Sequence, residues 1–385
     1  MRELYNILTE SKKNFILSPE DKAKLIRLDK RYNTLIMKVR NDFNEKDVKN
    51  LDEEREKFFE ARKKGEKYFP IFDLGEMKYN TKLLKDLISL KNEFQKFSSC
   101  FLSKYYIQCL NRKINWVNYQ IMIHKKFDVD YSVERQLSQD IYQQALEILK
   151  YTKYQDTSKL NRTIGAEEAK IMIENALKEL DIEWKVIIED NMLARMNVLP
   201  NGILRINKTA KFNDADIEGL IAHEIKGHVL RRIYANKKGL YLFVHGLLGY
   251  SILDEGLAIW NSLNLVSKQK PNVMYNIALK YVVAYNKYRM DFCELFDFTK
   301  QIAPALKDAQ IFNCIARAKR EILNTKKLGG VPDDGNYLYG YDLVNNMDDK
   351  QRDDILKWNI GPDHIRDISD LKEFFRVNDF EPIKL

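Results

Sequence analysis

Histidine is scarce in this chain, five in 385 residues, and cysteine is scarcer, with four. Cys100, Cys109, Cys293 and Cys314 form no CxxC pair and no cysteine–histidine cluster, which argues against a disulfide framework or a thiolate zinc site and favours buried free thiols. Long hydrophobic runs are missing too. The longest, GLYLFVHGLLGYSIL (239–253), holds a histidine and three glycines and falls short of the roughly 20 residues a membrane span needs, so it reads as core. The first residues, MRELYNILTESKKNFILSPED, lack the charged start, apolar stretch and small-residue cleavage site of a secretory signal, and the expected compartment is the cytoplasm. There is no internal repeat and no Pro/Gly/Ser-rich linker, so no boundary announces itself.

What is present is ordinary for a protein with a large core: 45% hydrophobic and 31% charged residues. The formal charge of +8 favours acidic partners by long-range steering. Residues 1–64 show charge-rich helical patterning, with Ser18 and Asp21 resembling an N-terminal cap and Pro19 suited to a first turn. Three- and four-residue apolar spacing continues to about 155 in TKLLKDLISLKNEFQKF and VERQLSQDIYQQALEILKY. The character then changes. AEEAKIMIENALKEL predicts an amphipathic helix, EWKVIIED a strand, and ARMNVLPNGILRIN two strands around a Pro-Asn-Gly turn. A further helix is expected from Asn213 or Asp214, with carboxylates in its first turn and Gly239 after its end.

That helix carries IAHEIKGHVL (221–230), which holds two of the five histidines. The familiar zinc signature HExxH sets its histidines four apart, about 40° from one another on a regular helix; five apart, they diverge by about 140°. A π-bulge with i to i+5 bonding brings such residues back into line, and Gly227 would ease the distortion. A histidine followed by an acid and by a second histidine at this spacing has a chance expectation of only ~0.01 in a chain of this composition. His223 and His228 then become metal ligands, and a third is required. Glu255, 27 residues beyond His228, is the preferred candidate, with its neighbour Asp254 orienting a histidine; His245, inside the apolar run, competes for the place. Glu224 sits where a general base takes the proton of a metal-activated water.

HEIKGHVLR (223–231) with GLLGYSILDEGLA (246–258) resembles the HExxxH zinc metallopeptidases of the microtubule-associated tyrosine carboxypeptidase family, which has many bacterial relatives. The resemblance extends to RAKREILNTKKLGGVPDDGNYLYG (317–340), where the family pattern runs approximately R-x-K-R-G, then GG-x-x-KD-x-x-Y-x-x-G. Arg317, Lys319, Arg320, Gly329, Gly330, Asp334, Tyr337 and Gly340 fall on it, while Glu321 replaces a glycine and Asp333 a lysine, both adding negative charge and bearing on substrate preference. The likeness spans residues 70–380, weakly before 165.

The resemblance implies one Zn2+ held by His223, His228 and Glu255, Glu224 as base, and removal of a C-terminal residue, tyrosine in the best-known members. A guanidinium grips a terminal carboxylate best, which makes Arg317 and Arg320 candidates for substrate binding, and Tyr337 could donate to the oxyanion. The expected fold is α+β, a zincin-like domain over 156–385, with a helical part over 65–155 packed on it and a helical extension over 1–64. GILRIN (202–207) is expected at the sheet edge over the active-site helix, where a peptide could add as a strand; a central position would exclude that. The expected partner is a peptide or protein C-terminus, acidic by charge complementarity, with no membrane and no nucleic acid. Two rivals stand beside this: a basic protein- or nucleic-acid-binding module with a non-catalytic metal site, and an amino- or endopeptidase using the same zinc chemistry.

Overall fold

Ser18 starts the first helix as its type suggests. Its hydroxyl accepts from the Asp21 amide at 3.0 Å, and α1 (Pro19–Asp42) carries Glu20 and Asp21 in its first turn, opposite the helix dipole. The computed structural model describes residues 15–42, 48–75, 81–124, 137–155, 161–190, 192, 194–199, 202–265, 270–320, 322–330 and 332–384. Residues 1–14 of the expected extension, the Pro200–Asn201 turn and Glu321 lie outside them.

The apolar stripe of α1 (Leu25, Leu28, Tyr32, Leu35, Ile36, Val39) is buried against α3 (Thr81–Lys96) and α4 (Ser103–His124), and against residues from 235–257 and 344–380. A buried carboxylate fixes this helix in place. Asp29 accepts from the Tyr106 hydroxyl at 2.6 Å and from the Tyr241 and Leu242 amides at 2.8 and 3.0 Å, while burial pushes its carboxyl up to about 6. A second core joins α2 (Leu51–Lys63) and α5 (Gln139–Tyr151) to α11 (Lys270–Asn286), α12 (Phe292–Ile302) and α13 (Asp308–Lys319), with Phe58 edge-on to Phe292 and Phe296.

The third core holds the sheet. Helix α6 (Ala166–Glu179) precedes β1 (Lys185–Glu189), β2 (Met196–Leu199) and β3 (Ile203–Asn207), giving an α+β fold with a small three-stranded sheet. The order is β1-β3-β2, with β1 parallel and β2 antiparallel to β3. The strand expected at the edge is therefore central, and peptide addition along GILRIN is excluded because both of its edges are already hydrogen-bonded. Burial agrees: Leu204 and Ile206 are fully enclosed, packing with Ile173, Ile225 and Val229.

Asn213 then caps α7 (Asp214–Leu220) in a reciprocal box: its side chain accepts from the Asp216 amide at 2.8 Å, and Asp216 accepts from the Asn213 amide at 3.3 Å. Helix α7 runs without a break into a π-helix (Ile221–Val229) and on into α8 (Leu230–Asn236), ending before Gly239 at φ +72°. The long apolar run is two elements, α9 (Tyr241–His245) and α10 (Tyr250–Leu265), separated by the positive-φ residues Gly246 and Gly249. Helices α14 (Asn336–Asn345), α15 (Asp349–Lys357) and α16 (Ile368–Val377) complete the chain. No helix among the described residues is long and apolar enough to cross a membrane.

Candidate metal centre

The altered spacing is accommodated by the backbone. All of 221–229 is π-helical, so i to i+5 bonding returns His223 and His228 to one face, with ring centroids 5.0 Å apart and planes at 82°. Gly227 contributes differently from the sequence expectation. A Cβ there would meet the Ala258 Cβ at 2.7 Å and Cα at 2.8 Å, so the missing side chain lets the π-helix lie directly on α10.

That contact delivers the third ligand candidate. Glu255, on α10, sets Oε2 3.8 Å from His223 Nε2 and 3.9 Å from His228 Nε2. The three potential ligand atoms lie within 4.8 Å of one another, and together they could hold a metal ion. Donors on a tetrahedral zinc at about 2.0 Å stand roughly 3.3 Å apart, so a small inward movement suffices. The outer nitrogens are held as well. His228 Nδ1 lies 3.0 Å from Asp254 Oδ2, bent off the N–H line so that charge rather than a well-aligned hydrogen bond holds it, and His223 Nδ1 lies 3.5 Å from the Ser262 hydroxyl. Behind Asp254 stands Arg231, 1% exposed, with Nη1 3.2 Å from Asp254 Oδ1 and its other nitrogens donating to the Ile355, Trp358 and Ile360 carbonyls.

The electrostatics separate the two imidazoles. Burial, with the neighbouring charge of His228, pulls His223 well below the usual histidine range. Burial also pulls on His228, but the Asp254, Glu255 and Glu224 carboxylates outweigh it and raise this ring above that range. Glu224 is 7% exposed, and burial, with Glu255 and Asp254 adding to it against His228, pushes it up to about 7. A carboxyl held there can accept a proton near neutral pH and return it.

A family model described as microtubule-associated tyrosine carboxypeptidase matches residues 124–376, well over half of the chain. The chain belongs to this family. The match begins later than the sequence resemblance, which started at 70. No curated protein matches the chain. Membership in the tyrosine carboxypeptidase family implies peptidase activity of the carboxypeptidase type, with a peptide or protein as substrate.

The segment 317–340 contributes Arg317 and Tyr337 to one wall of the site. Lys319, fully buried, donates to the Lys327 carbonyl at 2.7 Å, and Gly330 packs so closely that a Cβ would collide with the Ala318 carbonyl oxygen. This folds the glycine loop onto the end of α13 and brings Asp334 to Arg317, whose Nε donates to it at 2.8 Å. Arg317 Nη2 donates to the Tyr337 hydroxyl at 3.3 Å. Glu255's charge, then burial, raises the Tyr337 phenol, which therefore stays protonated. Gly256 and Gly340 make the crossing that sets Tyr337 near Glu255. A Cβ on Gly340 would collide with the Ile252 carbonyl oxygen, and one on Gly256 with the Gly340 backbone. Gly340→Ala must push α10 and α14 apart; we expect a loss of about 1–3 kcal/mol in urea unfolding, and a change below ~0.5 kcal/mol would show that the crossing adapts.

Arg317, Tyr337 and the three ligand candidates line a cavity of about 620 Å³ together with β2, the edge strand of the sheet among the described residues, through Met196, Asn197 and Val198. His223 and Glu255 each keep a quarter of their side-chain surface open to it. Arg317 reaches the cavity; Arg320 is not among the residues lining it. His245, the competing ligand, is a core residue bonded to Asn33 at 2.8 Å and edge-on to Tyr32. Sequence reasoning missed Arg231, Arg232, Ser262 and Lys280, of which all but Arg231 line the cavity. Ser262 had a signal: it lies seven residues after Glu255, two helical turns along the same face.

Proposed function

We propose that this chain is a zinc-dependent carboxypeptidase with a zincin-like site, removing a C-terminal residue, tyrosine-like as in its family, from a peptide or protein. His223, His228 and Glu255 hold one Zn2+. The convergence of their three donor atoms in the lining of one cavity carries this reading. Two imidazoles and one carboxylate suit zinc and leave a position for water, as a catalytic rather than a structural site requires. When bound, the ion supplies Lewis acidity, acidifying water to about pKa 7 and polarising a carbonyl.

The chain's own groups do the rest. Glu224, beside His223 and enclosed, takes the proton from the attacking water and passes it to the departing amine. Tyr337, protonated and steered by Arg317, donates to the oxygen that gains charge. Asp254, anchored by Arg231, fixes the His228 ring. The outer edge of β2 offers backbone groups along which the substrate extends.

Mass spectrometry of peptides with free and with amidated C-termini tests this. Free-acid peptides should release one C-terminal residue, a chelator should abolish the release and one equivalent of zinc should restore it. Internal cleavage or removal of N-terminal residues would give the site to an endo- or aminopeptidase. Zinc-independent release would remove the metal from the account.

A further inference from the structure

We infer that Lys280 is the cation that receives the substrate's terminal carboxylate. The inference deepens the carboxypeptidase reading and rests on it. A carboxylate entering a protein cavity gives up water, and only a charged donor with no stronger engagement of its own replaces what it loses.

Four cations line the cavity: Arg195, Arg232, Lys280 and Arg317. Arg195 lies 3.1 Å from Asp216, and Arg317 gives its Nε to Asp334 at 2.8 Å. Each therefore faces an acid of this protein. Arg232 and Lys280 face no acid at ion-pair distance among the described residues, and the charge of each acts on groups of the centre. Arg232 follows His228 by four residues on the ligands' own helical run, whereas Lys280 stands on a separate helix, α11, beside Tyr337. The lysine's ammonium stands 4.1 Å from the centre of the Tyr337 ring. Burial, then the nearby Arg317 charge, makes its charged form less comfortable than that of an ordinary lysine, a condition an arriving anion relieves.

The helix that carries Lys280 supplies the rest of a subsite. Val273, Asn276, Ile277 and Lys280 all line the cavity, at positions i, i+3, i+4 and i+7 of α11, so one face of this helix enters it. Along that face two apolar residues precede the cation, and Ile259 of α10 lines the same cavity. A terminal residue is a side chain and a carboxylate on one carbon. The apolar part of this face suits the former and Lys280 the latter, with Tyr337 beside both. A chain continuing past the scissile residue would bring a neutral amide to the lysine, and an amidated terminus would do the same.

Rates on paired free-acid and amidated peptides, measured with the full-length zinc-loaded protein, test the inference. The ratio of the two rates within one preparation does not depend on the folded fraction. The wild type should prefer the free acid by on the order of 100-fold, Lys280→Met should lose that preference through its kcat/KM on the free acid, and Lys280→Arg should retain most of it. A preference kept by Lys280→Met, or lost equally in Lys280→Arg, overturns the assignment and leaves the carboxypeptidase reading standing. A wild type indifferent to amidation removes that reading first, and this inference with it.

Discussion

Glu224→Gln is expected to lower kcat/KM about 10³-fold on any peptide the protein cleaves, within the 10²–10⁴ that a positioned base contributes, while zinc content and KM stay as in the wild type. In activation free energy that is about 4 kcal/mol. The amide keeps the size of a side chain that is only 7% exposed, so the substitution isolates proton transfer from packing. It also leaves His223, His228 and Glu255 untouched, so metal binding is a separate readout. A loss below about tenfold would show that the proton leaves by another route and that Glu224 is an enclosed neighbour of the ligands without a chemical role.

Arg231→Met should cost about 3–5 kcal/mol of unfolding free energy, the range for removing one partner of a buried charge pair. The arginine is 1% exposed and reaches Asp254 together with three backbone carbonyls from 355–360. Methionine fills the space but donates to none of them, so Asp254 loses its arginine and the carbonyls lose a buried donor. Because Asp254 also lies 3.0 Å from His228 Nδ1, the folded fraction should bind zinc 10- to 100-fold more weakly, roughly the effect of disturbing a group behind a metal ligand. Urea unfolding reads the first effect and zinc titration against a chelator the second. A stability loss below ~1 kcal/mol, or unchanged zinc affinity, would mean that Arg231 serves only to fasten the C-terminal segment.

Much of the local structure was legible because its causes are local. The Ser18 and Asn213 caps, the strand positions and the π-helix all follow from side-chain chemistry and spacing within a few residues. Glu255 was within reach because it follows Asp254 directly on the helix after the Gly246–Gly249 turn, so that one acid can ligate and the other orient a histidine. The sheet order was not legible. Met196 and Val198 alternate much as Leu204 and Ile206 do, and which strand of the hairpin takes β1 as its neighbour depends on long-range packing against α6 and the π-helix. Gly227 was noticed for flexibility, whereas its function is the absence of a Cβ against Ala258, 31 positions away. Nothing in the sequence singles out Arg231 or Lys280 among 64 lysines and arginines. Only tertiary structure encloses the one beside Asp254 and turns the other toward the cavity.

Crystals grown with one equivalent of zinc and measured across the zinc absorption edge test the central claim most directly. One anomalous peak is expected, about 2 Å from His223 Nε2, His228 Nε2 and a Glu255 carboxylate oxygen, with Glu224 facing its open side. A peak elsewhere, or none with the two imidazoles directed apart, would contradict it.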